Sequence, residues 1–118
     1  MKTKRLTDVG VTARDLNAAL SAWRKVSGLT VSGLDPGQRA TMPVRDISIS
    51  LIAALPDESE GLRSLTIAVE SLADAVAELR AKGVAVSDAT VADDGVLSAM
   101  INPKSTYGVP IRLVEEQT

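Results

Sequence analysis

The sequence predicts an α+β fold: a single domain, residues 1–118, made of two successive βαβββ modules at about 6–55 and about 62–116. Three observations predict it. The chain repeats itself at an offset of 56 positions; in each copy a two-residue alternation gives way to a helical one at the same place; and turn signals then cut the remainder into three further strand-like runs.

The first copy opens on residues 7–13, where Val9, Val11 and Ala13 alternate with Asp8, Gly10 and Thr12. That is the pattern of a half-buried strand. Asp15 stands at an N-cap position, and Leu16, Ala19, Leu20 and Trp23 recur at helical spacing before Gly28, which is placed to end the helix. Strand-like runs follow at 29–34, 38–44 and 47–54, divided by the turn signals Asp35-Pro36-Gly37 and Arg45-Asp46.

The second copy repeats this order. Leu65, Ile67 and Val69 alternate, Ser71 stands as N-cap, and Leu72, Ala75, Val76 and Leu79 form the helical stripe. Strands are expected at 84–87, 96–101 and 109–116. The 56-residue shift lays Leu6 on Leu62, Leu16 on Leu72, Ala19 on Ala75 and Arg24 on Arg80; one deletion later Gly28 meets Gly83. Residues 56–61 form a polar connector between the copies. Its acidic stretch, Asp57-Glu58-Ser59-Glu60, reads as a solvated segment, or else as a rim for a basic ligand.

Composition narrows the function. Trp23 and Tyr107 are the only aromatics and there is no Phe, so the core must be aliphatic, with Trp23 on its helical stripe. Thirteen basic residues against fifteen acidic ones, without a block of like charge, leave no electrostatic footprint for nucleic acid. No apolar run approaches the ~20 residues of a membrane span, and the basic start at Met1 to Arg5 lacks a following signal-peptide hydrophobic region. A cytoplasmic protein without membrane contact is expected. With no Cys and no His, thiolate and imidazole chemistry are both excluded.

Several segments resemble a known family: Val9-Gly10-Val11 through Arg14-Asp15-Leu16, residues 61–72, and the tail Asn102-Pro103-Lys104-Ser105-Thr106-Tyr107-Gly108-Val109-Pro110-Ile111-Arg112-Leu113-Val114-Glu115. They are similar to methylmalonyl-CoA epimerases of the glyoxalase, or vicinal oxygen chelate, superfamily, and the likeness covers nearly the whole chain. The resemblance implies two βαβββ modules forming one cupped mixed sheet with helices on its outer face, assembled as a homodimer. It also implies a divalent metal held by one residue on the first and last strand of each module. That metal chelates a substrate through adjacent oxygens and stabilises an enolate.

Carried over residue by residue, the four ligand positions fall on Asp8, Ser50, Ser64 and Arg112. The repeat agrees with this assignment, since Asp8 and Ser64 correspond at the 56-residue shift and Ser50 and Arg112 at a shift of 62. All four lie on the polar parity of their strands. One carboxylate, two hydroxyls and a guanidinium make a poor metal site, because Arg offers no acceptor and stays cationic. No metal and no other cofactor is therefore expected.

Arg112 brings a fixed charge to the place of the metal, where it could receive a carbonyl or carboxylate oxygen. With the hydroxyls of Ser50 and Ser64 beside it, Asp8 could then serve as a base. The plain alternative is a structural Asp8–Arg112 ion pair. Neither serine has a histidine to activate it as a nucleophile. The resemblance further places substrate contact at Lys104, Ser105 and Thr106, in a turn that could equally be an ordinary solvated one, and Tyr107 either stacks on a ligand or caps the cup. The leading expectation is a metal-independent protein that binds a small anionic, acyl-CoA-like or dicarbonyl molecule. The alternatives are a metal-free isomerase (epimerase) or lyase, a drug-binding resistance protein, and a non-catalytic partner subunit. Bleomycin-resistance proteins resemble this fold too, but their aromatic-lined clefts do not match a chain with two aromatic residues.

Overall fold

The alternation at the start of the chain becomes β1, Thr3–Ala13, in a computed structural model that describes residues 1–92 and 95–116. After it come α1 (Leu16–Ser27), β2 (Gly33–Asp35), β3 (Arg39–Val44) and β4 (Ile47–Ala53). The second copy supplies β5 (Gly61–Val69), α2 (Leu72–Ala81), β6 (Thr90–Val91), β7 (Leu97–Ile101), a 3-10 turn at Pro103–Thr106 and β8 (Ile111–Glu115). The expected order of strand, helix and three strands occurs twice, and the α+β class holds.

The chain divides into two compact units. One is Asp8–Arg63; the other joins Met1–Thr7 to the chain from Ser64 onward. In the first unit the strands lie in the order β2-β3-β4-β1, with β1 and β4 parallel and the other pairs antiparallel. The second repeats the plan as β5-β8-β7-β6, with β5 and β8 parallel.

Both helices begin and end as the sequence specifies. The Asp15 carboxylate accepts from the Ala18 N–H at 3.1 Å, and the Ser71 hydroxyl accepts from the Asp74 N–H at 3.2 Å, each capping a first turn whose amides have no helical partner. Gly28, at φ 70, adopts the left-handed cap conformation and donates to the Arg24 carbonyl.

Parity then decides what each sheet face does. In the first unit Leu16, Ala40, Met42 and Leu51 are buried, with Val11, Leu20, Trp23, Leu29, Val31 and Ile49 packed around them. The second unit buries Val69, Leu72, Ala75, Val76, Ala99, Ile101 and Leu113 under α2. Both cores are aliphatic, as an almost aromatic-free chain requires. Trp23 joins its cluster only in part, since its outer side lines a shallow apolar hollow with Ala22 and Val26.

Some expected boundaries are corrected. The run 29–34 is a strand only at its end, in β2. Leu29 and Val31 still pack on the core, but up to Ser32, whose N–H donates to the Thr41 carbonyl at 2.8 Å, the segment crosses it without a ladder. Residues 84–87 likewise form a single bridge, Val86 to Ile101, while Val84 and Val86 serve the core. The strands expected from 96 and from 109 begin at Leu97 and Ile111. Here apolar alternation reports burial rather than strand pairing.

β1 also starts earlier than expected and changes unit along its length. Residues 1–7 belong with the second copy, where the Lys2 carbonyl accepts from the Glu70 N–H at 2.9 Å and the Thr7 hydroxyl donates to the Thr66 carbonyl at 3.2 Å.

The acidic connector is more ordered than a solvated segment. The buried Thr12 hydroxyl lies between the carbonyls of Ser59 at 2.7 Å and Gly61 at 3.2 Å. Glu60 accepts from the Arg14 N–H at 2.8 Å, and the Arg14 guanidinium donates to the carbonyls of Glu58 and Pro56 at 3.0 and 3.4 Å. Charges that a sequence reads as solvent-facing are spent on backbone groups that would otherwise lack partners.

Candidate functional site

In the first unit, strand register sets out one polar face. Gly10 on β1 stands opposite Ser50 on β4, and Ser50 stands opposite Thr41 on β3; one pleat away along the same face lie Asp8, Ser48, Thr12, Ile52 and Arg39. The opposite parity, Val11, Leu51, Ala40 and Met42, faces the core under α1.

On that face three side chains form a relay. The Ser50 hydroxyl is fully buried, donates to Asp8 Oδ1 at 2.7 Å, and accepts from Arg39 Nη2 at 3.0 Å. A guanidinium nitrogen can only donate and Ser50 has one proton, so the direction is fixed: Arg39 to Ser50 to Asp8. Asp8 is half-buried and Arg39 exposed, so the relay runs from solvent into the sheet. No side chain at Gly10 intervenes as Asp8 reaches diagonally toward Ser50.

Asp8 and Ser50 are thus brought together, as their shared parity implied. The cation bonded to Ser50 is Arg39, which lies outside the four positions that the resemblance marks. Its signal was present in the run 38–44, where Arg39 and Thr41 alternate with the core residues Ala40 and Met42. What was missing was the β3–β4 register that sets Thr41 opposite Ser50 and Arg39 one pleat beyond it.

In the second unit Arg112 on β8 stands opposite Thr66 on β5 and opposite Met100 on β7. Thr66 is the 56-residue counterpart of Gly10, and Arg112 the 62-residue counterpart of Ser50, so the two modules place corresponding residues in the same register. Ser64 precedes this ladder on the parity of Thr66. Both Ser64 and Arg112 are half-buried.

The segment before β8 is a 3-10 turn whose polar groups are largely used internally. Asn102 accepts from the Lys104 N–H through its side chain at 2.9 Å and from the Ser105 N–H through its carbonyl at 2.9 Å. The Thr106 hydroxyl donates to the Val109 carbonyl. The Lys104 and Ser105 side chains are exposed, and Tyr107, at φ 55, stands fully exposed.

The first unit thus carries a parallel β1–β4 pair with a helix on one face and polar groups on the other, and the second unit carries the same pair as β5–β8. Solved structures match the fold over nearly the whole chain. A variant of Streptomyces coelicolor methylmalonyl-CoA epimerase in complex with 2-nitronate-propionyl-CoA matches with a TM-score of 0.79 at 21% identity, covering 99% of this chain and 100% of that one. The chain has the glyoxalase fold. Methylmalonyl-CoA epimerase from Mycobacterium tuberculosis matches with a TM-score of 0.74 at 24% identity over 96% of this chain and 88% of that one. A hypothetical protein of Bacillus halodurans C-125 matches with a TM-score of 0.79 at 21% identity over 97% and 95%. At these identities the likeness is one of fold. No protein-family model and no curated protein matches the sequence. Among the described residues no helix is long and apolar enough to cross a membrane.

Proposed function

We propose that this glyoxalase-fold chain binds a small anionic molecule of the acyl-CoA or dicarbonyl kind on the polar faces of its modules, without a metal ion. The observation that carries the reading is the Arg39–Ser50–Asp8 relay. At a position where the resemblance expects a metal ligand, the Ser50 hydroxyl gives its proton to Asp8 and a lone pair to Arg39. A divalent cation there would meet a neutral hydroxyl already engaged by both neighbours, beside a guanidinium whose charge repels it. The other positions are Ser64, a second neutral hydroxyl, and Arg112, a cation without an acceptor. Among the described residues no three His, Cys, Asp or Glu side chains gather into a metal-holding group. The residues present do not fit a divalent metal.

In place of a coordinated cation, Arg112 supplies a permanent charge for a carboxylate or thioester oxygen, and Ser64 a neutral donor. The Lys104 ammonium, the Ser105 and Thr106 hydroxyls and the Tyr107 ring are proposed as further ligand contacts on the turn before β8. The S. coelicolor enzyme holds an acyl-CoA ligand, which favours that ligand class over others.

A second reading, metal-free epimerisation, draws on the same relay. Because Ser50 donates to Asp8 Oδ1, the carboxylate is held in one orientation and can present Oδ2 as a base. The ligand's α C–H bond would break, its proton passing to Asp8 and its electron pair into the adjacent carbonyl as an enolate, and solvent water would deliver a proton to the carbon from the opposite face. Solvent deuterium should then appear at the α-carbon with the wild type and not with Asp8→Asn. No exchange with either protein ends this reading.

The binding proposal is tested by native mass spectrometry with elemental analysis of the purified protein, followed by titration with malonyl-CoA. Metal well below stoichiometry, with subunit number read from the same spectra, is expected; stoichiometric zinc, cobalt or manganese overturns metal independence. Arg112→Ala should weaken malonyl-CoA binding by about 1.5–3 kcal/mol, the loss of a charge-assisted hydrogen bond. Unchanged affinity removes Arg112 from the binding surface.

A further inference from the structure

We infer that Arg39 determines specificity for a free carboxylate on the ligand, selecting malonyl-type thioesters over simple acyl thioesters. The inference rests on the binding function proposed above and assigns it a recognition group that the resemblance does not supply. The exposed Arg39 guanidinium bonds through Nη2 to a serine hydroxyl that is itself fully buried. This bond tethers one nitrogen of the guanidinium to the sheet. Five N–H groups in a rigid fork leave edges that match the two oxygens of a carboxylate.

The surroundings narrow the ligand further. Ser50 separates Arg39 from Asp8, so a cation and a carboxylate flank one hydroxyl on the same sheet face. Asp35, the register partner of Arg39 on β2, adds a second negative group. A ligand with two adjacent carboxylates would meet repulsion on this face. A compound whose single free carboxylate adjoins a C–H group sets its charge on Arg39 and its neutral carbon toward Asp8. Malonyl-type thioesters have this order of groups, whereas acetyl and propionyl thioesters lack the carboxylate.

The test compares malonyl-CoA with acetyl-CoA by calorimetric titration of the full-length wild type, Arg39→Gln, Arg39→Lys and Ser50→Ala, with circular dichroism confirming that each folds. Wild type should prefer malonyl-CoA. Arg39→Gln should lose about 10- to 100-fold in malonyl-CoA affinity, the factor carried by a charge-assisted contact, and leave acetyl-CoA affinity unchanged. Arg39→Lys should recover only part of the preference, because an ammonium cannot form the fork. Ser50→Ala should fall between wild type and Arg39→Gln, as an unanchored guanidinium would.

Equal binding of the two thioesters by wild type, or full malonyl-CoA affinity in Arg39→Gln, overturns the assignment. Failure of both thioesters to bind wild type defeats the acyl-CoA reading instead. In that event titration with monoethyl malonate isolates the carboxylate contact: binding by wild type that is lost in Arg39→Gln upholds Arg39, and no binding by wild type overturns it.

Discussion

Where the first module sets buried Ser50 opposite Gly10, the second sets half-buried Arg112 opposite Thr66, at the same point of the same parallel strand pair. One residue further along the same strands, the core-facing neighbours are nearly interchangeable: Leu51 and Leu113 are both fully buried and both packed beneath a helix. The duplication has kept the apolar parity and released the polar one. Packing against a helix penalises any change of volume, whereas a polar sheet face asks only that its buried groups find hydrogen-bond partners. In the first module that requirement is met by the serine relay. Function can therefore diverge on one face while the other holds the backbone in place.

The largest effect that can break this comparison lies in the cores. Leu51→Ala and Leu113→Ala should each destabilise the chain by about 2–5 kcal/mol in urea titration, since each leaves a cavity in an aliphatic cluster. A cost below about 1 kcal/mol for either would mean that the two cores do not carry equivalent loads.

A smaller and deliberately unequal effect is expected at Thr12, whose counterpart in the second module is the buried Ala68. Thr12→Val keeps the shape but removes the hydroxyl shared by the carbonyls of Ser59 and Gly61, at a cost of about 1–3 kcal/mol by thermal or urea unfolding. Wild-type stability in this variant would show that Arg14 holds the connector without it. Smallest are the caps: Asp15→Ala and Ser71→Ala should each cost about 1 kcal/mol by the same measurement. Similar losses would sharpen the equivalence of the two helices, and a silent substitution at one of them would break it.

Much of the fold is legible in the sequence. Asp15 and Ser71 cap as their positions announce, Gly28 takes the left-handed conformation, and the 56-residue shift recurs in the strand registers. Legibility failed where one signal serves two causes. The alternation at 29–34 and 84–87 marks Leu29, Val31, Val84 and Val86 as buried, yet burial there does not need a full ladder. Glu60 reads as solvated because charge in a loop usually is, but here it accepts from the Arg14 N–H, brought near by the chain's return past Thr12 and Arg14. Of the candidate site, Asp8 and Ser50 were legible from parity and the repeat, while Arg39 was not.

The sequence by itself determined the repeated βαβββ order, the aliphatic core and the polar parity of Asp8, Ser50, Ser64 and Arg112, because periodicity and capping act over a few neighbouring residues. Tertiary structure alone decided which partners meet: Arg39 on Ser50, Ser50 on Asp8, Thr12 on the connector. Those pairings join residues 11 to 49 positions apart, a distance over which no local pattern carries information.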